Sequence, residues 1–443
     1  MKNSILLLLF TLSSQIMVAQ PGFEFKEGVT KVTVPFQLIN NLVFVPIKVN
    51  GVELNFLLDT GVSETILFSL EEKKEVRFFN AQKVLLKGLG SQNTVEGLKS
   101  TNNVLEFGNL QYRGHFLYIV LDPDFNLSSH IGIPVNGIIG YQFFKNHLVQ
   151  LDYRRKKITV YKDSPEHQQK IKKKATVLPI EIENNKPYVK ADVILNEKDV
   201  PVKLLVDIGN SDAVWLFQDR NPLVSVPKKN FDDFLGRGFS GDVEGKRAKI
   251  KEFNIGGFRF KSVVTSFPDS LSLKNVTMAT DRMGSVGGEI MKRFKVVFDY
   301  QSQLLYLTRN KIYVSPFVYN KSGIEIQHHG LQWVQETVKM ETVPENNSYG
   351  SGGGTRIYVN DFKYKFQLKP IYDIAHIRKK SPAAIAGLRA GDIVLRVNNK
   401  LPYQYTLQEI NNLFKQPDDQ WISLEVERNS QILLFTFKLE DVL

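Results

Sequence analysis

Apolar and polar positions alternate over most of the chain. Between residues 30 and 160, runs such as Lys31-Val-Thr-Val-Pro-Phe and Val43-Phe-Val-Pro-Ile-Lys-Val keep a period of two. That period predicts strands with one face buried. Asn50-Gly51 between two such runs predicts a tight hairpin. Helical periodicity is scarce here apart from a short segment after Gly140. Residues 177–309 repeat the plan: Tyr188-Val-Lys-Ala-Asp-Val-Ile-Leu reads as a strand, Asn196-Glu-Lys-Asp-Val as a turn, and Pro201-Val-Lys-Leu-Leu-Val-Asp as the next strand. The polar stretch Lys162–Lys174 marks a boundary between them. The pattern therefore predicts a mainly β chain with two duplicated β lobes.

The character changes from about residue 312. Ser381-Pro-Ala-Ala-Ile-Ala-Gly-Leu predicts a short Ala-rich helix stopped at Gly387-Leu388, followed by a Gly391-Asp392 turn and a strand. Leu407 to Phe414 predicts a second helix. Residues 341–355, with Gly350-Ser-Gly-Gly-Gly, read as an insertion in this third unit. They are not a phosphate cradle, because no GxxxxGK[ST] pattern is present.

Composition narrows the classes. Lys2, the apolar run Ile5–Phe10 and Val18-Ala19-Gln20 give residues 1–19 the form of a secretory signal. That run is too short to span a membrane, and no later segment is long enough. The expected location is therefore exported, periplasmic or secreted. The remaining ~424 residues suffice for roughly three domains: a first lobe at 20–161, a linker at 162–176, a second lobe at 177–311 and a third domain at 312–443. There are no cysteines, which excludes disulfides and thiol catalysis. The net charge of +11 is dispersed except at Lys162–Lys174, a solvated linker, and no nucleic-acid-binding motif is present.

The chemistry lies in a signature that occurs twice. Phe56-Leu-Leu-Asp59-Thr-Gly and Leu204-Leu-Val-Asp207-Ile-Gly share an aspartate at the end of an apolar run. Val-Glu-Gly ends 38 residues after each aspartate, at Gly97 and Gly245. Gly140 and Gly287 open a third pair of similar runs, 81 and 80 residues downstream. Two such aspartates facing each other cannot both ionise, so they share a proton and can activate a water between them. Gly61 and Gly209 let the backbone turn tightly beside the carboxyls. Ser63 and Ser211 lack a GxSxG elbow and a paired histidine, so they read as support for the aspartate loops rather than as nucleophiles. His328-His329 lacks a third ligand at sensible spacing, so no metal or other cofactor is expected. Trp215 reads as core.

Phe56-Leu-Leu-Asp-Thr-Gly-Val-Ser and Gly137-Ile-Ile-Gly resemble the retropepsin-like aspartyl proteases, and the 381–399 signature resembles bacterial PDZ domains. Nearly all of the mature chain resembles exported bacterial aspartyl proteases with a C-terminal PDZ domain. The resemblance implies Asp59 and Asp207 as catalytic residues, Thr60 as an interlobe hydroxyl and peptides or proteins as substrates. The second lobe departs from the family, with Ile208 where a hydroxyl residue is expected and Ser285 where the first lobe has Ile138. Flap candidates are the glycine-rich segments around Gly88 and Gly90 and around Gly238 and Gly241. The PDZ resemblance implies C-terminal peptide ligands held along Gly323, Ile324, Glu325 and Ile326. Two functions follow from these features: an aspartic endopeptidase, or a catalytically impaired pseudoprotease that binds peptides.

Overall fold

A computed structural model describes residues 22–68, 75–86, 95–121, 127–238, 241–274, 276, 278–339 and 362–443. The signal-like segment 1–19, the flap glycines Gly88 and Gly90 and the insertion 341–355 lie outside these residues. The chain is mainly β, as its alternation predicts, and its last part is a PDZ domain.

In the first lobe, β1 (Val52–Leu58) delivers Asp59, and β2 (Thr65–Leu67) follows the aspartate loop. After helix α1 (Leu127–Ile131), β3 (Gly137–Ile139) slots between them, parallel to β1 and antiparallel to β2. Phe56 and Leu58 are fully buried, so the apolar run before the aspartate is the core face of its strand. β4 (Leu148–Asp152) then leaves the lobe for a central sheet. The linker is partly helical. α2 (Pro165–Lys172) starts where the Ser164 hydroxyl accepts the N–H of His167 and Pro165 occupies the first turn, both helix-start features.

The second lobe repeats the arrangement. β5 (Lys198–Val206) delivers Asp207, β6 (Val214–Leu216) follows, and a long hairpin of β7 (Asn230–Gly238) and β8 (Gly241–Ile255) projects over the lobe. β9 (Arg282–Val286) runs parallel to β5, with a bulge between Lys203 and Leu204, and antiparallel to β6. β10 (Phe294–Asp299) pairs antiparallel with β4, Val149 opposite Phe298 and Asp152 opposite Lys295. A single six-stranded sheet is thus built from both lobes and turns the two aspartates toward each other.

The PDZ domain has its own apolar core, from Ile324 to Leu439. Its edge strand β11 (Ile324–Lys339) pairs with β12 (Phe362–Ile377), and helix α3 (Leu407–Leu413) packs beside β11. α3 begins at a capping box of Thr406 and Glu409. The expected stop at Gly387 is present, with φ at 102°, a left-handed conformation suited to glycine.

Candidate active site

Each aspartate is held at the end of its strand by the same pair of contacts. The N–H of Asp59 donates to the Ile139 carbonyl at 3.0 Å, and that of Asp207 to the Val286 carbonyl at 2.9 Å. Each carboxylate accepts the N–H of its own glycine, Gly61 at 2.7 Å and Gly209 at 3.1 Å. The two carboxyls also share a hydrogen bond. The glycines are demanded by the opposite carboxyl. A Cβ on Gly209 would stand 2.1 Å from Asp59 Cγ, and one on Gly61 would stand 3.0 Å from Asp207 Oδ1. Here glycine serves close approach rather than an unusual φ.

Burial, then the neighbouring Asp207, raises the Asp59 carboxyl well above the ordinary carboxylate value. Burial also pushes Asp207 up, but Arg282, the Asp59 hydrogen bond and Lys186 pull it back. The two carboxyls therefore titrate as one pair that holds a proton between them, with Arg282 and Lys186 favouring negative charge on Asp207.

Thr60 joins the lobes as expected. Its fully buried hydroxyl donates to the Val206 carbonyl at 2.6 Å and accepts the N–H of Ile208 at 3.1 Å. Ile208 supplies no reciprocal hydroxyl, and its side chain is fully buried in the main core. Ser63 donates to the Asn184 carbonyl at 3.1 Å across the interface. Ser211 takes part through its backbone carbonyl, which accepts Asn41 Nδ2 at 2.8 Å. The expected hydroxyl support thus holds for Ser63, while at Ser211 the main chain does the work.

Those contacts expose residues the sequence reading missed. Asn40-Asn41 and Asn184-Asn185 are matching hairpin turns, all four residues at positive φ. Each turn reaches the aspartate loop of the other lobe. The signal was a second repeated dipeptide: two asparagines between strands are a turn signature.

Both aspartates line one cavity of about 1110 Å³. Gly236, Arg237 and Gly238 of the second-lobe hairpin line it too, and Gly238 pairs directly with Gly241 at the hairpin's described end. The PDZ domain contacts this hairpin. His376 stacks on Phe234 with ring centres 4.2 Å apart and lies 3.5 Å from Asp242. Arg378 lies 4.1 Å over the Phe231 ring and 3.7 Å from Asp233. Lys249 pairs with Asp441 at 2.7 Å.

A buried ionic chain runs inward from this contact. Asp233 accepts Arg247 Nε at 2.6 Å, and Arg247 Nη1 donates to Asp212 at 2.8 Å. Asp212 also accepts Ser266 Oγ and the Trp215 indole N–H. Trp215 is 7% exposed, a core residue at the cavity wall.

The PDZ residues are partly where expected. The N–H of Gly323 donates to Asn320 Oδ1 at 3.1 Å, and that of Ile324 to Ser322 Oγ at 3.0 Å. Ile324 and Ile326 point into the PDZ core. Their side chains therefore pack the domain, while their main chain lies on the sheet's edge strand. Glu325 lines the shared cavity, where burial raises its carboxyl to about 7. α1 packs against β11, a Cβ on Gly132 would stand 2.9 Å from Leu407 Cβ, and the N–H of Asn40 donates to Gln408 Oε1 at 2.6 Å. The first lobe thus lies against the β11–α3 face. His329 pairs with Asp373 at 3.1 Å, and among the described residues no group of three or more His, Cys, Asp or Glu has metal-binding geometry.

Comparisons with known proteins agree with this division. No curated protein matches the chain. Among solved structures, an aspartic proteinase from Irpex lacteus is similar at 14% identity and a TM-score of 0.41, covering 64% of this chain and 99% of that one. Residues 45–143 match the family described as aspartyl protease, and residues 374–428 match the PDZ domain family. The chain thus carries an aspartyl protease-like segment that includes Asp59, and a C-terminal PDZ domain.

Proposed function

We propose that this protein is an exported aspartic endopeptidase in which Asp59 and Asp207 activate one water. The observation that carries this reading is the pair of carboxyls, each bonded to its own glycine N–H and sharing one hydrogen bond. Asp207, flanked by Arg282 and Lys186, is the ionised partner and takes the proton from water. Asp59 holds the shared proton and gives it to the substrate carbonyl as the tetrahedral carbon forms. Collapse of that intermediate, with proton transfer to the leaving amine, breaks the peptide bond.

The PDZ domain supports a role in presenting peptides or proteins to the cleft. It fixes the β7–β8 hairpin that walls the cavity, and Glu325, Asn411 and Lys415 extend the lining. The signal-like residues 1–19 support export to the periplasm or beyond. The test is digestion of a peptide library by the wild-type protein, Asp59→Asn and Asp207→Asn. Each substitution abolishes cleavage and leaves a folded protein, and chelators have no effect. Undiminished cleavage by Asp207→Asn would make the second lobe a scaffold and refute the dyad.

A further inference from the structure

Two cations line the cavity next to the dyad, and among the described residues neither is in contact with a carboxylate. Arg282, on β9, is 6% exposed. Its Nε donates to the Gly284 carbonyl at 3.0 Å and its Nη2 to Ser285 Oγ at 2.7 Å, while the guanidinium lies 5.1 Å from the Phe217 ring centre. Lys186, just after the Asn184-Asn185 turn, also lines the cavity. Among the described residues neither forms an ion pair. The cavity's other buried arginine, Arg247, has both Asp212 and Asp233. Asp207 attracts Arg282 from beyond contact distance, so no carboxylate is hydrogen-bonded to its guanidinium, and fixing its orientation on a serine and a carbonyl adds specificity. Ser285 is the residue at which the second lobe departs from the Gly-Ile-Ile of the first, and Arg282 uses its hydroxyl.

We infer that Arg282 and Lys186 form a subsite for a carboxylate of the peptide substrate beside the scissile bond. This inference rests on the endopeptidase reading for its place in the reaction, not for its existence as a binding site. Burial and then Arg282 lower the affinity of Lys186 for its proton, against the pull of Asp59, Asp207 and Glu64; a carboxylate in contact with both cations adds to that pull. A fixed fork from Arg282 and a point charge from Lys186 suit one carboxylate group. Its source is an acidic side chain near the cleaved bond or a free C-terminal end.

The experiment uses the full chain and capped synthetic peptides that differ only in carrying Glu, Gln or Lys at each position around the cleaved bond. A second series is apolar, with a free or an amidated C-terminus. At one position Glu should exceed Gln in kcat/KM by about tenfold or more, as charged hydrogen bonds require, and Lys should be rejected. Dependence on the free C-terminus instead would assign the carboxylate to the chain end. Lys186→Met should reduce the preference to within about threefold, and Arg282→Lys should reduce it while keeping the charge. Equal rates for Glu and Gln at every position, with no gain from a free C-terminus, would overturn the subsite. So would a preference that survives Lys186→Met and Arg282→Lys. If no peptide is cleaved, the protease reading fails by itself. Calorimetric binding of the same peptides to Asp59→Asn then decides the subsite: tighter binding of the carboxylate forms upholds it, and equal binding refutes it.

Discussion

The hydroxyl of Thr60 accepts the N–H of Ile208 at 3.1 Å, so one side chain spans both aspartate loops without a counterpart. Because the same hydroxyl also donates to Val206, Thr60→Val strands two buried backbone groups. The expected cost is about 2 kcal/mol or more, with a matching loss of peptidase activity. Ile208→Thr gives up buried apolar surface and gains a second hydroxyl. Those changes nearly cancel, leaving stability within about 1 kcal/mol of wild type and activity at or above it. Denaturant titration and peptide hydrolysis measure both.

The dyad sets a pH dependence of stability. The Asp59 carboxyl is raised above its ordinary value of 3.8, so the folded state holds that proton more tightly than the unfolded chain. The resulting stabilisation is fully present below the unfolded value and is lost as pH rises through the folded one. Asp59→Asn removes the ionisable group. The variant should be more stable than wild type at neutral pH, and its melting temperature should fall less steeply between acid and neutral pH. A parallel decline in both proteins would contradict the origin assigned to the shift.

The β7–β8 hairpin should behave as an extension of the PDZ domain. Phe234→Ala removes the ring that stacks on His376. Hydrogen exchange should then accelerate through residues 230–255 and leave the core of the first lobe unchanged. Arg247→Met should be more damaging, costing about 3 kcal/mol, because it leaves half-buried Asp212 without its cation and Asp233 with Arg378 alone.

The first lobe lies on the β11–α3 face of the PDZ domain. Residues 316–443 alone, which contain a complete core, should bind peptides with a free C-terminal carboxylate at about micromolar affinity. The full chain should bind them more weakly, because Gly132, Leu407, Asn40 and Gln408 already meet there. Amidated peptides serve as the control. Equal affinity in both proteins would mean that the first lobe leaves the groove open.

What could be read from the sequence followed from local rules. Apolar alternation marked the strands, duplication marked Asp59 and Asp207, and Gly387 marked a helix end. The Asp212–Arg247–Asp233–Arg378 chain was invisible, because its members come from separate segments and each alone reads as surface charge. Arg282 was hidden for the same reason: no local pattern says that an arginine will be buried without an acid in contact. Ile324 and Ile326 were placed on the correct strand, but the sequence did not show that both side chains face the domain core.

The sheet shared by the two lobes also imposes a schedule. β4 pairs on one edge with the neighbouring Lys157–Tyr161 strand and on the other with β10, nearly 150 residues later. Such distant pairing is slow to form, and it cannot begin until the ribosome has passed Asp299. An emerging chain therefore carries Asp59 through most of its synthesis with nothing opposite it. The facing pair of carboxyls thus arrives late and all at once, with the closing of the shared sheet.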